Sequence, residues 1–371
     1  MEAILTQPHS GSVVGPFASG DPNHKGTVPM TATHLDRREL FIYGAPGDVG
    51  GAATKIRDLI RLLGEVLDIR VVLPGRQYLR NAELLRQLKR LPCSFLPFEE
   101  LKRSPGAVCL SVCETAFFKS GHAARLKDLG FKVVFSNEMT WAFDGEREAC
   151  RDGVVDKVLY VSNFQREALA PVNGATPFAY TSNYIHADAF PFVERRHWPM
   201  TMGRVSRADP EKYSENFPAF YEAICPFDMD FRIMGWDAKC AAKFRWFEFG
   251  PRWTLLKLNA WPVSEFLGEL DFFVYSTDRK LHESWGRAVV EAMLTGCIPL
   301  LPTGHAFEEF ITSGDSGFIC FDAAGYRTAL ETLYQDVGVR SAISRRASEV
   351  AREVICSPRR HRDIWLEALF G

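Results

Sequence analysis

The sequence predicts an α/β protein built from two doubly wound, Rossmann-like parallel-sheet domains. The first sign is a βαβ unit. It runs from the apolar strand Glu39–Tyr43 through a glycine-rich loop and a helix with Ile56, Leu59, Ile60 and Leu63 on one face to a second strand at Ile69–Leu73. The second sign is that strand and helix patterns keep alternating along the chain, as a parallel sheet with helical crossovers requires. The third is length, because 371 residues are enough for two domains with separate cores.

Bulk composition narrows the function classes. Hydrophobic residues make up 46% and charged residues 24%, the usage of an ordinary soluble globular protein. A formal net charge of −2 supplies no bulk attraction to nucleic acid or to an anionic membrane. The nine Cys include no C-x-x-C pair, which fits a reducing compartment and leads us to expect a cytoplasmic protein. No apolar run approaches the ~18 residues of a membrane span. The 12% of aromatic residues, with many Phe in the first half, leave peripheral membrane contact open.

Residues 1–37 are rich in Gly, Pro, Ser, Thr and His without periodicity and read as a flexible N-terminal arm. The loop after the first strand contains Gly44, Gly47, Gly50 and Gly51, and glycines at a helix N-terminus let the backbone approach an anion. Gly44, Gly47 and Gly50 match G-x-x-G-x-x-G, and Arg76 beyond the second strand could meet the 2′-phosphate of NADP. That oxidoreductase reading lacks its chemistry, since none of the ten Tyr is followed four positions later by Lys.

Further along, Val108–Val112 and Lys132–Ser136 read as strands, and ligands bind at strand ends in parallel sheets. Glu114 and Glu138 are therefore candidates for the acceptor side of a cleft. His122, alone on its helical stretch, reads as packed or solvated. A strand at Val154–Val161 leads through Ser162 and Asn163, good capping residues, into a helix. The run Glu194–Trp198 reads as a linker, dividing a domain at 38–193 from one at 194–356.

The second domain opens with Met200–Lys212, a strand delivering Arg204, Arg207 and Lys212 into one loop. A guanidinium and an ammonium complement the oxygens of a diphosphate. Arg207 and Lys212 are the expected phosphate ligands, with a structural part for Arg204. Asp228-Met229-Asp230 matches a metal-binding D-x-D but precedes a strand, so its carboxylates point to the wrong end of a sheet and no metal site is expected.

His282–Met293 carries the most information. Trp285, Val289, Ala292 and Met293 fall on one helical face, and Gly296 and Pro299 end the helix. Glu283 sits just before the first turn and Glu291 lies off the apolar face, roughly 12 Å apart along a helix axis. Between them the first-turn N–H groups and the helix dipole offer a phosphate site. An anion site flanked by two carboxylates suits a nucleotide-sugar.

Glu283, Ser284, Gly286, Glu291, Ala292, Met293 and Gly296 resemble the Glu-x7-Glu motif of the family-four retaining glycosyltransferases of the GT-B fold, which usually carry Phe where this chain has Trp285. Gly203–Lys212 is similar to that family's Gly-Arg loop with its following Lys, and Gly50-Gly51 to its first loop beneath the donor diphosphate. The resemblance covers residues 38 to 371. It implies two Rossmann-like domains facing across a cleft, with a C-terminal helix, here 357–371, crossing back onto the first domain. It implies transfer of a hexose from a UDP- or GDP-linked sugar to a glycan, lipid-linked or small-molecule acceptor, with retention and without metal or other cofactor.

In that reading Arg207, Lys212 and the N–H groups of Ser284, Trp285 and Gly286 stabilise the leaving diphosphate. Glu291 accepts the ribose hydroxyls, Glu283 holds the hexose, and Arg287 lies between them. Gly235, which ends the strand Phe231–Met234, sits at the depth of the base. Glu283 and Glu291 are too far apart for a retaining hydrolase, whose carboxyls lie about 5 Å apart. A module that binds sugar nucleotide without turning it over remains an alternative.

Overall fold

Among the described residues, short runs of Val, Ile, Leu and Phe, bounded by Gly, Pro and Asp, form thirteen strands in two sheets. They are seen in a computed structural model that describes residues 37–47, 50–195, 198–225, 227–278 and 280–371. The expected N-terminal arm falls outside these up to residue 36, as do Asp48 and Val49 of the first loop and Arg196 and His197 of the linker. Among the described residues no helix is long and apolar enough to cross a membrane.

The first sheet holds β1 (Glu39–Tyr43), β2 (Asp68–Leu73), β3 (Ser94–Pro97), β4 (Val108–Val112), β5 (Lys132–Ser136), β6 (Lys157–Tyr160) and β7 (Phe178–Tyr180). Their order is β3-β2-β1-β4-β5-β6-β7, and every pair is parallel. The second sheet holds β8 (Met200–Val205), β9 (Met229–Met234), β10 (Trp253–Leu256), β11 (Phe272–Val274), β12 (Ile298–Pro302) and β13 (Phe318–Cys320) in the order β10-β9-β8-β11-β12-β13, again all parallel. In both, strand order reverses beside the first strand, between β1 and β4 and between β8 and β11. Connections diverge there, leaving a crevice at the carboxyl ends where doubly wound sheets bind ligands.

Each sheet is covered on both faces, which is why its strands read as continuous apolar runs and not as alternating ones. On one face of the first sheet Leu40, Ile42, Val71 and Leu110 pack against Ile56, Leu59 and Leu63 of the helix Gly51–Leu63. The C-terminal helix Pro358–Phe370 joins this core through Trp365, Ala368 and Leu369, and Lys157 Nζ donates to Ala368 O at 2.8 Å. A third cluster spans both domains, grouping Val161 and Ile185 with Trp285, Val289, Met293 and Phe307.

The helix of the Glu-x7-Glu segment differs from expectation. It spans Arg287–Leu294, with Gly286 as its N-cap at φ 91°. In that left-handed region a glycine ends the helix where the apolar periodicity alone would carry it back to Trp285. Residues 283–286 are therefore not helical, and the ~12 Å axial spacing between the two glutamates does not apply.

Trp365 is fully buried and its indole N–H has no acceptor among the described residues. Trp365→Ala should cost about 3–5 kcal/mol in chemical denaturation. Trp365→Phe, which keeps an aromatic ring and forfeits no hydrogen bond, should cost much less.

Candidate functional site

At the switch point of the second sheet, β8 delivers Ser206 and Arg207 next to the end of β9. Gly235 admits this approach: its φ is 108°, and a Cβ there would lie 1.9 Å from Ser206 O. Arg207 is exposed and has no ion-pair partner among the described residues. Lys212 closes a one-turn 3₁₀ segment, Pro210–Lys212, whose cap Asp209 accepts the Glu211 N–H at 3.1 Å. The Lys212 ammonium lies 2.6 Å from Glu283 Oε1.

Burial pushes the Glu283 carboxyl up, but Lys212 together with hydrogen bonds from Lys212 and Tyr275 outweighs it and holds the carboxyl below its ordinary range. Arg204 is a different case from Arg207. It is fully buried, donates through Nη1 to Ser276 O and lies between the rings of Tyr213 and Tyr275, so it reaches no ligand.

The non-helical segment before Arg287 is stitched to the first domain. Ser284 Oγ donates to Glu138 O at 2.6 Å, and Ser284 O accepts from Ser162 Oγ at 2.6 Å. The Trp285 side chain, 1% exposed, donates from Nε1 to Ser182 Oγ at 2.8 Å. Ser284 and Trp285 precede the helix, which starts at Arg287, so neither N–H belongs to its first turn, and the Trp285 side chain shapes the domain contact. The helix start that remains open belongs to Arg287 and Ala288.

Arg287 does not stand free either. Its Nη2 lies 2.6 Å from Asp58 Oδ2 on the Gly51–Leu63 helix, and its Nε 2.8 Å from Glu291 Oε1. Burial raises the Glu291 carboxyl above its ordinary range despite the Arg287 charge. On the same boundary Glu309 accepts the backbone N–H groups of Asn163 and Phe164, at 3.1 and 2.8 Å, and so caps the helix Asn163–Asn173 of the first domain. A carboxylate at that end of a helix also meets the favourable pole of its dipole.

Across the cleft, Gly50 and Gly51 begin the helix Gly51–Leu63, and a Cβ at either would meet nothing within 4 Å. The space above that helix start is open. Glu138 stands at the end of β5, as expected, but its Oε1 is held by the buried Lys55 ammonium at 2.6 Å and Ser136 Oγ at 2.7 Å. Lys55 is pushed below its ordinary range by burial, against the pull of Glu138. Glu114 is half-buried and accepts the Ala116 N–H at 3.3 Å.

His122, read from the sequence as packed or solvated, is packed. Its Nδ1 lies 2.6 Å from the Tyr43 hydroxyl and its ring stacks on Phe98 at 3.8 Å, near Glu99 and Glu114. No motif marks this cluster, because its members come from four separate stretches of chain. Tyr275 and His305, which touch Glu283, were missed for the same reason. Arg76, the residue offered to a 2′-phosphate, is exposed and pairs with Glu100 at 3.5 Å. The described residues hold no group of three or more His, Cys, Asp and Glu placed to bind a metal.

No protein-family model matches the chain, and no curated protein matches it. Solved structures do. HepE from Anabaena, in complex with UDP and glucose, is similar with a TM-score of 0.68 at 14% identity over 90% of this chain and 99% of its own. TarM from S. aureus is similar with a TM-score of 0.71 at 11% identity, over 91% and 99%. The lipopolysaccharide outer core galactosyltransferase WaaB gives 0.61 at 13%, over 90% and 99%.

Two predictions follow from these contacts. Arg287→Met leaves Asp58 and Glu291 short of a cation and should cost about 3 kcal/mol. A double-mutant cycle with Asp58→Asn should return a coupling above about 1 kcal/mol. The second concerns Glu146, which braces the loop after β5 by accepting from Asn137 Nδ2 at 2.8 Å and Phe143 N–H at 2.9 Å.

Burial pushes the Glu146 carboxyl from 4.5 up to about 7. Between those values the folded chain holds more protons than the unfolded one, so stability should fall as pH rises through the window. Denaturation of Glu146→Gln against pH should show a flatter profile there.

Two parallel-sheet domains of Rossmann type, their carboxyl ends turned to a shared cleft and a last helix returned to the first, give this chain the GT-B fold of these glycosyltransferases.

Proposed function

We propose that the chain is a glycosyltransferase that moves a hexose from a UDP- or GDP-linked sugar to a glycan, lipid-linked or small-molecule acceptor, with retention of configuration. The observation that carries this reading is the pairing of Lys212 with a half-buried, ionised Glu283 at 2.6 Å, with an exposed Arg207 on the same loop as Lys212 at the switch point of the second sheet. A diphosphate is complemented by cations beside a hydroxyl-binding carboxylate, and here the loop after β8 supplies Arg207 and Lys212 while a second loop supplies Glu283. The fold is shared with HepE, solved with UDP-glucose, and with sucrose-phosphate synthase from Thermosynechococcus elongatus.

In this reading Arg207 and Lys212 bind the diphosphate and stabilise the charge that grows on it as the glycosidic bond breaks. The backbone at Arg287 and Ala288 adds the helix start. Glu291, with one oxygen on Arg287, offers the other to the ribose. Glu283 contacts the hexose, and the leaving phosphate takes the acceptor proton as the hydroxyl attacks from the same face, so neither a general base nor a resident metal is assigned. Glu114 faces the acceptor. Glu138, with Oε1 held by Lys55 and Ser136, stands on the same side of the cleft.

Calorimetric titration with UDP, GDP and NADP, with and without Mg²⁺, tests the reading. Micromolar UDP or GDP binding that ignores Mg²⁺ is the expected result. Binding of NADP alone would move the site to the first glycine loop. Glu283→Gln should lower transfer more than tenfold and leave UDP affinity unchanged, because the group acts on the sugar. A chain that binds UDP-sugar yet transfers nothing to any acceptor would be a binding module.

A further inference from the structure

Glu283 is held by more than the lysine beside it. Tyr275, the residue after β11, donates its hydroxyl to Glu283 Oε1, the same oxygen that accepts Lys212 Nζ at 2.6 Å. The Glu283 N–H donates to His305 Nδ1 at 3.0 Å, and its carbonyl accepts the Ala306 N–H at 3.1 Å. Two donors therefore crowd one carboxylate oxygen while the main chain is clamped on both sides. Oε2 has no partner among the described residues and is the oxygen available to a ligand.

Tyr275 cannot turn away. It is 4% exposed, its ring stacks on Phe273 at 6.0 Å, and Phe307 meets it edge-on at 6.0 Å. The guanidinium carbon of Arg204 stands 4.2 Å from its centroid, with the Tyr213 ring 4.9 Å away. Arg204 is fully buried, and its Nε and Nη2 have no hydrogen-bond partner among the described residues. A desolvated cation against an aromatic face interacts more strongly than an exposed one. It also draws charge from the phenol, which sharpens the hydroxyl as a donor. Burial, and then the Glu283 charge, keeps that hydroxyl protonated.

Among the described residues, the other titratable groups acting on Glu283 are Lys212 and His305, with His282 beyond. His305, pushed down to about 4 by burial, is neutral and serves as an acceptor.

We propose that Tyr275, backed by Arg204, is the positioning residue that fixes which oxygen of Glu283 faces the donor sugar. The proposal rests on Glu283 being the sugar contact. Lys212 answers to two anions once a diphosphate enters, and a mobile ammonium is shared between them. Tyr275 is uncharged and walled in, so nothing in the ligand draws it off. It is the partner that keeps the carboxylate oriented and ionised through the donor-bound state.

Tyr275→Phe in the full chain tests this. The substitution keeps the ring, the Arg204 contact, and the main-chain bonds to Leu300 and the Tyr326 hydroxyl. A ¹³C titration of the Glu283 carboxyl, assigned with Glu283→Gln, should show its midpoint rising by about 1 pH unit. Affinity for UDP-sugar should drop about tenfold while affinity for UDP holds, whereas Lys212→Met should weaken both. Should Tyr275→Phe not fold, 3-fluorotyrosine at 275, a stronger donor, should move the midpoint the opposite way.

An unmoved Glu283 midpoint overturns the proposal. So do equal losses for UDP and UDP-sugar, which would mark Tyr275 as structural. If the wild-type chain binds no sugar nucleotide, the functional reading fails, and the carboxyl titration by itself decides whether Tyr275 holds Glu283.

Discussion

The left-handed backbone at Gly286 is the constraint on which the site depends. A residue with a Cβ is strained at that φ, and a Cβ here would also press on Phe307 at 3.1 Å. With glycine, the chain leaves the helix Arg287–Leu294 and runs non-helically through Glu283–Trp285. Only in that form can one short segment turn Glu283 toward Lys212 and Tyr275, while Ser284 and Trp285 bond to the first domain. Carried on as a helix, the same residues would point around an axis and could not serve both sides of the cleft.

Domain contact and site chemistry therefore share residues. Arg287 joins Asp58 to Glu291 and Ser284 bridges Glu138 and Ser162, both within four residues of Glu283, and Glu309 caps a first-domain helix on the same boundary. Such contacts desolvate the charges they include, which strengthens each interaction in the cleft. The same burial makes every partner necessary, since a charge left alone there has no water to turn to.

Charge placement sorts the basic residues by job. Arg204 and Lys55 are sealed in and hold other side chains: one fixes Tyr275, the other fixes Glu138 beneath the ring of Trp365. Arg207 is exposed and free to meet an anion. Lys212 is intermediate, already touching the carboxylate that a sugar would share. Burial, not residue type, makes this division.

How much was legible in advance follows the range of the forces involved. Strand and helix patterns, the glycine loop, the convergence of Arg207 and Lys212 in one loop, and the Glu283–Glu291 segment are short-range features. Apolar periodicity and local backbone preference determine them, so the fold class and the site segment could be read from the order of residues alone. The partners of those residues were not legible. Tyr275 and His305 on Glu283, Asp58 on Arg287, Lys55 on Glu138 and Ser182 on Trp285 are brought together by sheet order and domain packing. The helix start was not legible either, because the apolar periodicity permits a helix from Trp285, whereas the chain turns at Gly286 and Trp285 is buried against Ser182 of the first domain. The sequence by itself determined two parallel sheets and where the charged loops lie; tertiary packing decided which of those charges are spent inside the protein and which are left for a ligand.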